Sequence, residues 1–390
     1  MFNTKKIYLD NAATTAVDEK VVKAMLPYFS DKFGNASSQH LIGQEAKRGL
    51  EESREVIARA IGAKYNEIIF TGSGTEANNF VLKGLFFYNK NKDSGKNHII
   101  TTKIEHDCIL NSCKWLESQG ARISYLNVDK EGFVNIEELK KEICNETLVV
   151  SVIHGNNEIG VIQDIEKIGR VCKEKGVYFH TDACQSYTKV PINVQRMNLD
   201  FVTLNAHKIH GPKGVGALYI GKELKDKIEP LLQGGGHEFG LRSSTENIPG
   251  IIGFAKAIKI ANWKDVKKIR ELRDYLIESI LKIPGVKLNG PKGEKRLCNN
   301  INVSFGNIEG EAIGGYLDSY GISSSTGSAC SSHSLEPSHV LKALGLEHSQ
   351  MNSSIRLSLS KFNTKEEIDY VLDVLNKIVI KLRKMSPIEL

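Results

Sequence analysis

Short apolar runs rich in β-branched residues recur along the chain, at 68–70, 99–101, 148–153, 177–180, 201–204 and 215–220. Most are continuously apolar rather than alternating, the pattern of strands covered on both faces. Segments of helical periodicity lie between them. One of these, 165–175, stops at Gly176, and glycine is favoured just past a helix end. Strands alternating with helices predict an α/β unit with a mostly parallel sheet. After about residue 250 the rhythm changes. The pattern predicts one long helical stretch over 249–282, closed by Pro284-Gly285, then a strand at 300–305 and a helix at 310–320. A Ser/Gly-rich loop follows at 323–334, then a short helix after Pro337, a strand at 354–358 and a last helix. That helix opens on Thr364 with Glu367 three residues later, a capping-box pattern. This half predicts a second, smaller α+β domain.

Composition narrows the class. With 390 residues the chain is long enough for two or three units and a large apolar core. A 41% hydrophobic and 25% charged content is ordinary for a globular protein. The net charge of +6 is spread along the chain with no block of like charges, so no nucleic-acid surface is indicated. Seven cysteines, an odd number at irregular spacing and without a CxxC pair, argue against a disulfide framework or a zinc cage. No apolar run has signal-peptide or membrane-span length. The cytoplasm is the default expectation.

Three segments carry candidate chemistry. Residues 69–79, Ile-Phe-Thr-Gly-Ser-Gly-Thr-Glu-Ala-Asn-Asn, run from a strand through a Gly-rich turn into a helix, where free N–H groups and the helix dipole suit a phosphate. Such a turn is often only a turn, and it matches neither the Walker nor the dinucleotide spacing. In 200–214 an apolar strand ends in polar groups, Lys208 and a Gly211-Pro212 turn. A lysine against apolar walls can have its pKa lowered and form a Schiff base with an aldehyde, although a single lysine is usually a solvated cation. Asp182 follows another apolar strand. It suits a protonated pyridine nitrogen and, alone, reads equally well as a helix cap. Together the three ask for one ligand with a phosphate, an aldehyde and a ring nitrogen, which is pyridoxal phosphate.

With these pieces in view the chain resembles the cysteine desulfurases of the NifS/IscS group, within the class V aminotransferase type. The likeness runs from Tyr8-Leu9-Asp10-Asn11-Ala12-Ala13-Thr14-Thr15 to 362–369. Its specific motifs are 33–38 (Phe-Gly-Asn-Ala-Ser-Ser), 155–160 (Gly-Asn-Asn-Glu-Ile-Gly), 207–214 (His-Lys-Ile-His-Gly-Pro-Lys-Gly) and 327–330 (Gly-Ser-Ala-Cys). The resemblance implies a large domain, 16–259, with a mostly parallel seven-stranded sheet flanked by helices, as in aspartate aminotransferase. It implies a small α+β domain from 1–15 and 260–390, with a mobile loop at about 323–334. Lys208 would carry the cofactor, Asp182 would pair with its ring nitrogen and Gln185 would reach its phenolic oxygen. Gly74, Thr75, Asn205 and His207 would hold the phosphate, with Thr245 arriving from the other subunit of a homodimer. His106 would stack on the ring and handle protons. Arg356 would clamp the substrate carboxylate, a task that suits a bidentate guanidinium. Asn35 is a further expected substrate contact, and Asn157 a contact to cofactor or substrate. Asn205 stands where the family has Ser or Thr, His210 replaces a common Tyr, and Ala36 a common Pro.

The loop 323–334 is small and polar, so a cysteine in it should be exposed and reactive. Cys330 is the expected nucleophile, taking sulfur from L-cysteine as a persulfide and leaving L-alanine. The other six cysteines read as packing residues, with Cys184, near Asp182, the main competitor. The resemblance implies a sulfur-acceptor protein such as an iron–sulfur scaffold, and neither nucleic acid nor membrane as a partner. No resident metal is implied; the one metal role left open is Cys330 as a transient iron–sulfur ligand. Two rival readings remain at this level: another pyridoxal-phosphate reaction, such as selenocysteine cleavage or transamination, and a non-catalytic sulfur-delivery scaffold. The presence of Lys208, Asp182, His106, Arg356 and Cys330 together speaks against the scaffold.

Overall fold

The structure is a computed structural model that describes residues 6–326 and 337–385. In chain order the strands are β1 (Ile7–Tyr8), β2 (Ile68–Thr71), β3 (His98–Thr102), β4 (Arg122–Leu126), β5 (Thr147–Ser151) and β6 (Tyr178–Asp182). They continue with β7 (Phe201–Asn205), β8 (Gly216–Ile220), β9 (Val286–Leu288), β10 (Asn300–Phe305), β11 (Ile322–Ser323) and β12 (Ser354–Ser358). Seven of them form one sheet in the order β2-β8-β7-β6-β5-β3-β4. Only β8 runs against its neighbours. Every residue of β2, β3, β5, β6 in its last four positions, β7 and β8 is buried, as the continuous apolar runs require. Successive side chains part to opposite faces of the sheet. Phe70, Ile100, Val150, Phe179 and Val202 join one core cluster, while Ile69, Ile99, Val149 and Phe201 join another. The strand β4 lies at the sheet edge and alternates polar with apolar residues, so no apolar run announced it.

A separate cluster gathers Ile7 and Leu9 with residues between Val266 and Val379. It packs the antiparallel sheet β12-β10-β9 and the parallel pair β1-β11 against helices. The helical stretch predicted over 249–282 is two helices, Ile248–Ile260 and Trp263–Ile280. Asn262 caps the second by accepting from the backbone N–H of Asp265 at 2.9 Å. Asn followed three residues later by Asp is an N-terminal signal that the apolar periodicity masked. The first helix packs in the core of the seven-stranded sheet through Ile251 and Phe254, and the second in the other core through Leu272 and Leu276. The predicted capping box forms: Thr364 Oγ1 accepts from Glu367 N and Glu367 Oε2 accepts from Thr364 N, both at 3.3 Å.

Part of the stretch expected as a loop is paired. Ser323 pairs with Tyr8 in β1, and Ser325 exchanges backbone hydrogen bonds with Arg356 at 2.7 and 3.1 Å. Cys330 lies outside the described residues.

Candidate active site

Sheet order places the site. The chain moves from β3 to β4 on one side and then to β5 on the other. At such a reversal, connections leave the strand ends in opposite directions and a crevice opens. The turn after β3 carries His106, and the turn after β5 carries Asn157. The end of β6 carries Asp182, and the end of β7 leads from Asn205 to Lys208. β2, parallel to β7, ends in the Gly-rich turn that starts the helix Gly74–Asn91. All five carboxyl ends open on the same edge of the sheet.

Asp182 is buried. Its Oδ2 accepts from Asn78 Nδ2 at 2.7 Å and its Oδ1 from the backbone N–H of Cys184 at 2.9 Å. Asn78 was not foreseen. It stands four residues after Gly74, and so on the same helix face, a spacing that could have flagged it. Behind Asp182, His180 bridges Ser151 Oγ (2.8 Å) and Thr203 Oγ1 (3.1 Å). Burial pushes its pKa down to about 4, so this layer is neutral.

Lys208 Nζ donates to the carbonyls of Ala12 and Ala13, the latter at 2.6 Å. Gln185 Nε2 also donates to the Ala12 carbonyl, at 2.9 Å. The N-terminal motif is therefore the floor on which the two meet. It is laced on one side to the lysine loop, with Thr15 N and Oγ1 donating to the His207 carbonyl at 3.0 and 2.9 Å. On the other side it is laced to β12, with Ala12 N donating to Ser358 Oγ at 2.8 Å. Arg356, on β12, donates from Nη2 to Asp10 Oδ1 at 2.8 Å and from Nη1 to the Asn157 carbonyl at 3.3 Å. Its Nε has no partner among the described residues.

His106 caps the helix Asp107–Ser118: its Nδ1 accepts from the Cys108 N–H at 3.2 Å. In the neutral ring the proton therefore sits on Nε2. His207 is held neutral, with a pKa lowered to about 4 by burial and then by Lys208, Lys213 and Lys189. Glu105 beside His106 is buried. Its carboxyl pKa rises to about 8, because burial outweighs the hydrogen bonds from Ile153 N and Thr102 Oγ1.

Three of the six cysteines read as packing residues, Cys108, Cys144 and Cys184, are only partly buried. Cys184 Sγ lies 2.7 Å from where a Cβ on Gly74 would stand, so glycine is needed there for the helix start to approach β6. Cys108 Sγ is 3.1 Å from His106 Nδ1 and accepts from Asn78 Nδ2 at 3.1 Å. Burial, reinforced by Asp182, raises the thiol of Cys184 well above its usual range and that of Cys108 to about 12. Both stay protonated and unreactive. Cys144 sits elsewhere, between Arg122 and Glu146 at the sheet edge.

The residues present fit pyridoxal phosphate. Asn205 is buried with its Oδ1 unpartnered among the described residues, and its Nδ2 lies 3.7 Å from the Cβ position of Gly74. An unsatisfied amide thus faces the phosphate turn. Asn78 Oδ1 is also buried without a partner, beside the Asp182 carboxylate. Thr75 is exposed at that helix start. Asn35 and Thr245 are exposed, and among the described residues neither hydrogen-bonds to another expected site residue. Asn35 Oδ1 accepts from Ser37 N at 2.9 Å and Ser37 Oγ at 2.6 Å.

Residues 7–371 match the family model described as aminotransferase class-V. The chain is 50% identical to a protein named cysteine desulfurase IscS from Methanosarcina thermophila, over 98% of this chain and 94% of that one. A Rickettsia typhi protein of the same name is 45% identical over 99% and 94%. Among solved structures, a NifS-like protein superposes with a TM-score of 0.89 at 38% identity, covering 97% of this chain and 100% of that one. A structure described as SspA in complex with cysteine gives 0.82 at 36% identity, over 92% and 100%.

Proposed function

Because the chain belongs to the class-V aminotransferase family, we propose that it is a pyridoxal-phosphate-dependent cysteine desulfurase that converts L-cysteine to L-alanine and holds the sulfur on Cys330. The observation that carries this reading is the meeting of Lys208, Gln185, Asp182, His106 and Arg356 around one sheet edge, two of them sharing the Ala12 carbonyl. When bound, pyridoxal phosphate supplies an aldehyde and an electron-withdrawing ring. Lys208 and Asp182 would hold its two reactive ends, and Gly74, Thr75, Asn205 and His207 its phosphate.

The chain's own groups then divide the work. Arg356 binds the substrate carboxylate. Lys208 Nζ takes the proton from the substrate Cα. His106 Nε2 exchanges a proton with the substrate thiol. The Cys330 thiolate attacks the substrate sulfur: an S–S bond forms, the substrate C–S bond breaks, and its electron pair stays with the carbon skeleton, which is protonated to L-alanine. Cys108 and Cys184 do not compete, since burial keeps both as thiols.

The protein acts as a homodimer in this reading. Leu26, Phe29, Phe33, Leu41 and Phe239 are each large and exposed, Leu41 at 88%, and exposed apolar side chains of this size suit a protein interface. Thr245 would complete the partner's phosphate site. The sulfur goes to an acceptor protein such as an iron–sulfur scaffold. No helix among the described residues is long and apolar enough to cross a membrane, and the cytoplasm is the proposed location.

The test is to supply L-cysteine and a reductant, measure L-alanine and sulfide, and locate the added sulfur by mass spectrometry. Cys330→Ala should keep the cofactor's visible band and lose sulfide release. Lys208→Ala should lose that band. Normal turnover of L-cysteine by Cys330→Ala would sink the assignment.

A further inference from the structure

A five-residue helix, His339–Ala343, sits against the site by means of two polar side chains at its start. Ser338 Oγ donates to Glu158 Oε2 at 2.5 Å, and both residues are buried. The same oxygen accepts from Val340 N and Leu341 N at 3.2 Å each. One hydroxyl therefore caps the helix and grips Glu158. His339 Nε2 lies 2.9 Å from the Glu105 carbonyl, and Nδ1 lies 3.8 Å from Asp107 Oδ1. A carbonyl only accepts, so Nε2 carries the proton.

The partners matter more than the bonds. Glu105 and Asp107 flank His106, and Glu158 follows Asn157. The two turns come from different strands, β3 and β5, and belong to different stretches of chain. Beneath them Val340 and Leu341 pack with Ile104, Ile153 and Ile159 in a cluster distinct from the main cores. A helix this short has no stability of its own, so its placement is set by these contacts. The turn after β5 is gripped from the other side as well, where Asn300 and Asn302 donate to the Glu158 carbonyl at 3.1 and 3.2 Å.

We propose that Ser338 and His339 are positioning residues that brace the two turns carrying His106 and Asn157, so that both side chains keep their place for the reaction. The proposal rests on the desulfurase reading above. Neither residue touches the reacting atoms. Each acts through backbone or carboxylate groups adjacent to a site residue, and a small displacement of such groups lowers a rate more than it weakens substrate binding.

The test uses the pyridoxal-phosphate-loaded full chain and the variants Ser338→Ala, His339→Leu and His339→Gln. Hydrogen exchange by mass spectrometry follows the peptides covering 103–108 and 155–160, beside kcat and KM for L-cysteine. The His339 side chain is 36% exposed, so its replacement opens no core cavity. Ser338→Ala should quicken exchange at 155–160 and His339→Leu at 103–108. In each, kcat should fall about tenfold while KM stays within about threefold. His339→Gln keeps an N–H donor and should restore both readouts to within about threefold. Unchanged exchange in both peptides overturns the brace. So does faster exchange with kcat unaltered, or a His339→Gln chain no better than His339→Leu. If the wild-type chain makes no L-alanine, the desulfurase reading falls, and the exchange pattern with its rescue still decides whether the brace exists.

Discussion

The guanidinium of Arg356 meets the carboxylate of Asp10 at 2.8 Å, joining β12 to the N-terminal motif that floors the site. The contact orients Arg356 before any substrate arrives. Lysine cannot reproduce the planar fork. Arg356→Lys is therefore expected to raise KM for L-cysteine about tenfold, a loss of about 1.4 kcal/mol, with the cofactor band unchanged. Asp10→Asn keeps an acceptor oxygen and should shift KM far less. Steady-state kinetics decide this; an unaltered KM in Arg356→Lys would remove the clamp.

Asn205 holds a buried oxygen without a partner among the described residues, a defect worth about 1–3 kcal/mol. Asn205→Ser removes that oxygen and keeps a donor for the phosphate. It should raise the urea midpoint and hold pyridoxal phosphate at least as tightly. Asn205→Ala loses the donor and should weaken cofactor binding about tenfold, read by equilibrium dialysis. Equal retention by Asn205→Ala would exclude Asn205 as a phosphate contact.

Glu105 has its pKa raised from 4.5 to about 8 by burial. The folded chain thus binds a proton that the unfolded chain releases between these values. Its contribution to stability is full below about pH 4.5 and is lost as pH rises towards about 8. Glu105→Gln mimics the protonated acid. The difference in unfolding free energy between variant and wild type should grow in the variant's favour by a few kcal/mol from about pH 5 to 8. Urea unfolding at several pH values measures it, and a pH-independent difference would refute the shift.

Arg54 and Glu238 form a doubly hydrogen-bonded pair, 2.7 Å on each side, with both side chains 2% exposed. Glu238 Oε2 also accepts from Phe70 N. Glu238 and the exposed Phe239 adopt left-handed backbone, φ 52° and 61°, a conformation uncommon outside glycine, and the pair anchors it. Arg54→Met leaves Glu238 buried without its cation, which should cost about 3–5 kcal/mol. Arg54→Lys should lose less. A urea midpoint unmoved by Arg54→Met would contradict this.

Much of this was legible from residue order because it is local. The buried strands, the cap at Thr364 and the stop at Gly176 follow from periodicity and single-residue preferences. The edge strand β4 and the break at Asn262 were missed for equally local reasons: one lacks an apolar run, and the other sits inside an apolar pattern long enough to hide it. Asp10, Ser338 and His339 were missed for a different reason. Each acts on a partner far away in the sequence, and nothing in its own neighbourhood marks the partner.

Residue types and motif spacing, read alone, pointed to the α/β class and to the family resemblance, and named the groups proposed to hold a phosphate, an aldehyde and a ring nitrogen. Only the tertiary structure decided that Lys208 and Gln185 share one carbonyl, that Arg356 arrives already paired with Asp10, and that Cys108 and Cys184 stay protonated beside Asp182. Those outcomes depend on which turns the sheet order brings to one edge and on how much water it excludes there. Pairing between distant strands and burial of charge are properties of the assembled sheet, and no single stretch of chain contains them.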